Sequence, residues 1–241
     1  MSGRLIESQN TDPYYVTAVD DAIAKVRKKD KRSDILHFYI RNPSAVSIGR
    51  SRKINDDIDI DECLKNNVKI IRRTSGGGSI FTDKGCLIYS LVFNYHKKDL
   101  SKSEEIFDVV CNCIVRSFKK IDIITEYKFP NDILLNKKKI SGSALIFKKD
   151  IALIHGTILF DTDLKLMQKV LKKKIKKDVS TIYNETNNTL YVNEFKEMLK
   201  KEFELSFDTV FYKSNLTDEE LKLVNELLEK RYCNDDWNFR R

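Results

Sequence analysis

Glycine is scarce in this chain, with eight residues in 241, and long apolar runs are missing altogether. No stretch approaches the roughly eighteen apolar residues that a membrane-crossing helix needs, which argues against a spanning segment. The opening MSGRLIESQNTDPYY has neither the apolar core of a secretory signal nor the arginine-rich amphipathic pattern of an organelle presequence. The five cysteines, at 63, 86, 111, 113 and 233, contain no CxxC pair and no metal-ligand spacing with the three histidines. An odd count at irregular spacing reads as reduced thiols in a reducing compartment. No repeat or low-complexity linker marks a domain boundary, so 1–241 reads as one domain of a cytoplasmic globular protein.

Charge is what the chain has in quantity. Charged residues make up 33% and hydrophobic ones 41%, with a net charge of +8 and a pI near 9.1. Seven lysines fall in KLMQKVLKKKIKKD, residues 165–178. That run has no interleaved aromatic residue and no arginine, which argues against nucleic acid. It reads as a solvated helical face or as an electrostatic landing site for an acidic protein partner.

Asp12-Pro13 is a helix start, and Val16, Val19, Ile23 and Val26 follow at helical spacing. ILHFYIRN and AVSIGR read as strands split by Pro43-Ser44, IDIDECLKNN as a short helix, and KIIRR, SIF and CLIYSLVFN as strands. SKSEEIFDVVCNCIVRSFKKI reads as a helix opened by a capping box from Ser101 to Glu104. On it Cys111 and Cys113 point in different directions and cannot chelate together. NDILLN, KISGSALIFKK and IALIHGTILF are further strands, the last two joined by a tight turn at Lys149-Asp150. LYVNEFKEMLKKEF reads as a helix, SFDTVFY as a strand, and LTDEELKLVNELLEKRY as a final helix with a capping box from Thr217 to Glu220. The order predicts an α+β fold of mixed β-sheets with packed helices.

Three of the eight glycines stand together in RRTSGGGSIFTDKG, residues 72–85. Successive glycines after a strand can take positive φ and expose backbone N–H groups, a geometry that holds anions. Arg72 and Arg73 beside them can fork onto phosphate or carboxylate. No GK[ST] follows, so this is not a Walker loop, and the next element is a strand, so it is not the dinucleotide fingerprint. A plain tight turn would use the same glycines. In NKKKISGSALIF, Lys139 adjoins an apolar strand three residues before Gly142, where a partly buried lysine needs an anionic partner. Lys137 and Lys138 read as solvated charges. His155 lies in ALIHGTILF, otherwise a buried strand, and taken alone reads more simply as a hydrogen-bonded core histidine. Asp132, in NDILL, offers a carboxylate for Mg2+ or for orienting a substrate.

In that order, RRTSGGGSIFTDKG, NDILLNKKKISGSA and HGTILFDTDL resemble the lipoate–protein ligase family, of the biotinyl/lipoyl-ligase catalytic-domain fold. DPYYVTAVDDAI, FYIRNPSAVSIGR and NDDWNF also resemble family positions, so the likeness covers essentially the whole chain. It implies ATP- and Mg2+-dependent activation of lipoate to lipoyl-AMP. The acyl group then passes to one lysine of an acidic lipoyl domain, in a 2-oxoacid dehydrogenase E2 subunit or the glycine-cleavage H protein. In a eukaryote those acceptors imply mitochondria. By resemblance, Arg72, Gly77, Gly78, Ser79 and Ile80 hold the nucleotide, and Arg73, Ser75 and Gly76 line the lipoyl side. Lys139 serves the nucleotide and stabilises the adenylation step. Asn131, Ser141, Gly142, Ala144, His155 and Gly156 meet the substrate, and Asp132 positions Mg2+.

Two departures stand out. Relatives commonly have FHD where this chain has Phe81-Thr82-Asp83, and GN where it has Gly85-Cys86; the missing histidine bears on acyl specificity. Many relatives also carry an accessory domain after the WNF segment, in some as a separate polypeptide, and that domain is not expected within 1–241. A lipoyl or octanoyl transferase with a cysteine nucleophile is the nearest rival, but no cysteine stands before the KxxG lysine or between 156 and 232. A biotin ligase would have a loop mixing arginine and glycine, unlike SGGG. A non-catalytic lipoyl-AMP-binding protein, or a transferase fed with activated acyl groups, would keep the same lysine and pocket.

Overall fold

The computed structural model describes residues 1–29, 33–172, 179–187 and 192–240. Its strands are β1 (Ser2–Glu7), β2 (Ile35–Tyr39), β3 (Ala45–Ile48), β4 (Lys69–Arg72), β5 (Ile80–Thr82) and β6 (Cys86–Asn94), followed by β7 (Glu126–Lys128), β8 (Asp132–Leu135), β9 (Lys138–Lys148), β10 (Ile151–Leu159) and β11 (Val210–Lys213). The four longest helices are α1 (Pro13–Lys29), α2 (Ser103–Lys119), α3 (Val192–Phe207) and α4 (Asp218–Leu227).

Every residue of β6 is buried, as its near-continuous apolar run requires of a strand covered on both faces. An eight-stranded sheet forms around it in the order β11-β1-β2-β6-β10-β9-β8-β7, and a second sheet has the order β4-β3-β5. β1 runs parallel to β2 and β11, whereas β2, β6, β10, β9 and β8 are successively antiparallel. The expected mixed-sheet α+β architecture is therefore present. No described helix is long and apolar enough to cross a membrane.

Two apolar layers cover the large sheet. α2 and α3 share one cluster with it, where Phe118 and Phe195 meet at 4.4 Å between ring centroids. α1 and α4 lie in a second cluster with Ile35, Val92 and Leu153 of the sheet. The small sheet carries a third with Val46, Ile48 and Phe81. α1 starts as its sequence dictates: Asp12 Oδ1 accepts from the backbone N–H groups of Tyr14 and Tyr15, both at 3.0 Å. α4 has the Thr217–Glu220 capping box, and buried Glu220 also takes a two-pronged bond from Arg4 at 2.7 and 2.8 Å.

One strand has no reading in the sequence, and two readings change. MSGRLIE forms β1, a strand that needs partners β2 and β11 from distant sequence. The cap of α2 slips by one: Glu105, not Glu104, accepts from the Ser101 and Lys102 N–H groups. Ser206 and Phe207, read as strand, continue α3, because Phe207 packs into the core on the helical period. Of the lysine-rich run, residues 165–170 lie in the helix Leu164–Val170, Leu171 and Lys172 leave it, and residues 173–178 lie outside the described ones.

Candidate functional site

A cavity of about 230 Å³ opens where the loop between β4 and β5 faces the large sheet. Its floor follows one row of the sheet: Asp132 pairs with Gly142, Gly142 with Thr157, Thr157 with Ile88, and Ile88 with Tyr39. Gly142, Thr157, Ile88 and Tyr39 all line the cavity. At about 4.8 Å per strand, the three steps from Gly142 to Tyr39 span about 14 Å.

The glycine loop forms the facing wall. Gly77 has φ +94°, so glycine is required there by conformation. A Cβ on Gly49 would lie 2.1 Å from the Gly77 carbonyl oxygen, which fixes how closely the chain passes behind the loop. Gly76 and Gly78 differ, because a Cβ on either would meet nothing within 4 Å. Both are exposed, and nothing in the chain itself demands their small size.

Lys139 sits at the mouth, its Nζ 2.5 Å from Asp132 Oδ1, with 39% of the side chain exposed. Gly142 is what lets it lie there: a Cβ at 142 would come within 2.7 Å of Lys139 Nζ. Asn131 donates from Nδ2 to the Ser143 carbonyl at 2.5 Å and holds β8 against β9 beside the same opening.

Arg73 is buried against the loop. It donates to Ser75 Oγ at 3.1 Å, to the Ser47 carbonyl at 2.8 Å, and to the Gly76 and Gly78 carbonyls at 2.6 and 2.8 Å. Burial, with the Arg41 charge nearby, pushes its pKa down to about 10. His155 lines the cavity, with Nε2 2.7 Å from Ser75 Oγ and Nδ1 3.6 Å from Asp20 Oδ2. Burial alone would raise the Asp20 carboxyl, but bonds and charge from His155 and His37 hold it well below the usual range. Tyr39 and Ser90 also donate to Asp20, at 2.8 and 2.7 Å. His155 is thus both a cavity residue and part of a buried polar network.

The structure brings Arg73, Gly77, Gly78, Ser79, Ile80, Asn131, Lys139, Gly142, Ala144, His155 and Gly156 to one cavity. Asp132 joins through Lys139, and Ser75 through His155. Gly76 is exposed on the loop outside the lining, and Ser141 is buried within β9 and also outside the lining. Arg72 requires a correction. Its guanidinium, expected on the nucleotide, is fully buried and donates to the carbonyls of Gly49, Arg50, Arg52, Trp237 and Arg240. Trp237 Nε1 returns a bond to the Arg72 carbonyl at 2.8 Å. β alternation turns the two neighbouring arginines apart, one to the cavity and one to the C-terminal segment.

Tyr39, Arg41, Ser47 and Thr157 line the cavity without having been singled out from sequence, and Asp20 supports it from α1. Asp20 carries a readable signal: it stands four residues after Val16 and three before Ile23, a carboxylate on the apolar face of its helix.

Four cysteines are buried and only Cys233 is exposed; none lines the cavity. Burial pushes the Cys63 and Cys111 thiols up to about 12, Cys113 up to about 11, and Cys86 higher still. Among the described residues no group of three or more histidine, cysteine or acidic side chains is placed to hold a metal.

The sequence profile described as the lipoyl protein ligase A/B catalytic domain matches residues 12–204. This chain belongs to that family. It is 25% identical to the Mycoplasma pneumoniae protein named "Probable lipoate-protein ligase A", over 99% of this chain and 72% of that protein. It is 27% identical to the octanoyltransferase LipM of Geobacillus kaustophilus, over 99% and 98%. Among solved structures, Ta0514 of T. acidophilum with bound lipoic acid superposes with a TM-score of 0.87 at 26% identity, covering 99% of this chain and 100% of that one. A lipoate-protein ligase A bound with ATP gives 0.87 at 26%, covering 99% of each. A bipartite lipoate protein ligase from Thermoplasma acidophilum, studied with its E2 lipoyl domain, gives 0.87 at 25%, covering 99% and 96%.

Proposed function

We propose that this chain ligates lipoate to a lysine of acidic lipoyl domains through a lipoyl-AMP intermediate, using ATP and Mg2+. The observation that carries the reading is a cavity on which Lys139, Arg73 and His155 converge and which no cysteine lines. The likenesses to an ATP-bound ligase and to a protein holding lipoic acid support it.

In adenylation a lipoate carboxylate oxygen attacks the α-phosphorus, and pyrophosphate leaves with the electron pair of the broken P–O bond. Two anions meet in that step, so a cation between them lowers the barrier. Lys139 has this role: it stands at the mouth, free to exchange part of its contact with Asp132 for phosphate and carboxylate oxygens. The cavity suits an acyl group, with the nucleotide lying across the exposed loop from Gly77 to Ile80. Gly76 and Gly78 leave the backbone bare toward that side, and Ser79, already bonded to Asp57 at 2.9 Å, is fixed beside it. The acceptor amine then attacks the carbonyl carbon, AMP departs and the amine loses a proton. Arg73, Ser75 and His155 hold the acyl side.

Asp132 would help hold Mg2+, whose chemistry is to neutralise phosphate charge. One part-exposed carboxylate fits, because Mg2+ takes few protein ligands when phosphate oxygens and water complete its octahedron. The acceptors are lipoyl domains or H protein, and an accessory polypeptide would join as in the bipartite archaeal ligase.

The close relation to octanoyltransferases supports a second reading, acyl transfer from a carrier thioester without ATP. Transfer through a cysteine would need a thiol at the cavity, and the thiol positions speak against it. The test is pyrophosphate release by the purified chain with ATP, Mg2+ and lipoate and no acceptor. Lipoate-dependent release supports ligation; its absence, with octanoyl groups still moving from a carrier to a lipoyl domain, supports transfer.

A further inference from the structure

Two residues that line the cavity each keep a buried polar atom with no hydrogen-bond partner among the described residues, Arg41 Nε and Ser47 Oγ. Their residues are 4% and 1% exposed, so bulk water does not cover them. Arg41 is otherwise well fixed. It donates from Nη1 to Thr82 Oγ1 at 3.2 Å and from Nη2 to Thr17 Oγ1 at 2.9 Å, and its guanidinium lies 5.9 Å from the centre of the Tyr39 ring. These partners are uncharged. Ser47 gives its carbonyl to Arg73 and leaves its hydroxyl over. Proteins leave few buried donors unmatched, and two on residues that line one cavity point to a group that enters it.

The sheet row says which end they occupy. Lys139 folds back over Gly142, whereas Tyr39, beneath Arg41, lies three strands away, about 14 Å at ordinary spacing. Ser47 is close to Arg41: Thr82, which holds Arg41, pairs with Ala45, and Ser47 follows two residues along the same face of β3. With a carboxylate activated at Lys139, the far end of the acyl chain would lie toward Arg41 and Ser47. Thr82, the position where the chain departs from the family pattern, is therefore a support for Arg41.

An alkyl chain ends in a methyl group, which accepts nothing and leaves both donors stranded. The sulfurs of a dithiolane are polarizable and accept weakly, and a guanidinium is a suitable neighbour. We propose that Arg41 and Ser47 are specificity-determining residues that select an acid carrying sulfur at its far end, lipoate, over the alkyl acid octanoate. This rests on the reading of Lys139 as the carboxylate end.

The test is calorimetric binding of free lipoate and free octanoate, without ATP, to the intact chain and to Arg41→Met and Ser47→Ala. The wild type should bind lipoate roughly tenfold more tightly. The ratio should fall toward one in Arg41→Met and by about threefold in Ser47→Ala, mostly through weaker lipoate binding. Equal binding of the two acids by wild type, binding of neither, or an unchanged ratio in a folded variant overturns the proposal. If Arg41→Met fails to fold, Ser47→Ala decides alone, because it removes one oxygen that holds nothing. Free-acid binding does not involve adenylation, so absent pyrophosphate release would sink the ligase reading without touching this result.

Discussion

The two ends of the cavity hold their cations in opposite ways. Lys139 at the mouth is 39% exposed and already paired with a carboxylate. Arg73 and Arg41 at the closed end are 5% and 4% exposed and are held by hydroxyls and carbonyls. An exposed pair can trade one anion for another at little cost, with water covering the exchange. A buried cation held only by dipoles keeps its geometry but stays poorly compensated until a ligand arrives. On this account the open end carries the chemistry and the closed end holds and selects the acyl group.

Several substitutions would break or sharpen that contrast. Lys139→Ala should cost roughly a hundredfold or more in the adenylation rate, about 3 kcal/mol, with the melting temperature nearly unchanged; stopped-time pyrophosphate assays measure it. Gly142→Ala should act through the same lysine. Its Cβ would stand 2.7 Å from Lys139 Nζ, so the amine must move, and a loss on the order of tenfold is expected in the same assay. An unchanged rate in either variant would remove Lys139 from the chemistry.

Arg72 tests the other half of the contrast. Arg72→Met strands carbonyls of the loop and the C-terminal segment and should cost about 2–4 kcal/mol in urea unfolding, with KM for ATP little changed in the protein that remains folded. A raised KM at unchanged stability would return Arg72 to the nucleotide.

Acid should act on the network behind the closed end. Asp20 and Asp21 are held below their usual range in the fold. Burial opposes this, but His155 and His37 at Asp20, and Lys148, Lys25 and Arg231 at Asp21, outweigh it. A depressed carboxylate contributes stability above its unfolded pKa of about 4, and that contribution is lost as pH falls toward the folded value. Denaturation midpoints should therefore hold from neutral pH to about 5 and then drop, less steeply in Asp21→Asn. The smallest effect is expected from iodoacetamide at neutral pH: it should label Cys233 alone and leave lipoyl transfer intact.

Much of this was legible in the sequence because it is local. The helix starts at Asp12 and Thr217, the hairpin at Lys149 and the grouping of the glycine loop with Lys139 and His155 follow from spacing and resemblance. What was not legible depends on partners far along the chain. β1 exists because β2 and β11 flank it. Arg72 and Arg73 are identical neighbours in sequence, and only the packing of residues 228–240 against β4 gives them different work. Arg41 follows a strand like any surface arginine, and its burial appears only once β5 covers it.

The most direct test of the central claim is a single-turnover reaction of enzyme in excess over lipoate, with ATP and Mg2+, quenched in acid and read by mass spectrometry. Lipoyl-AMP beside a protein of unmodified mass is the predicted result. A protein carrying a covalent acyl group, with no lipoyl-AMP, would contradict it and move this chain to acyl-enzyme transfer.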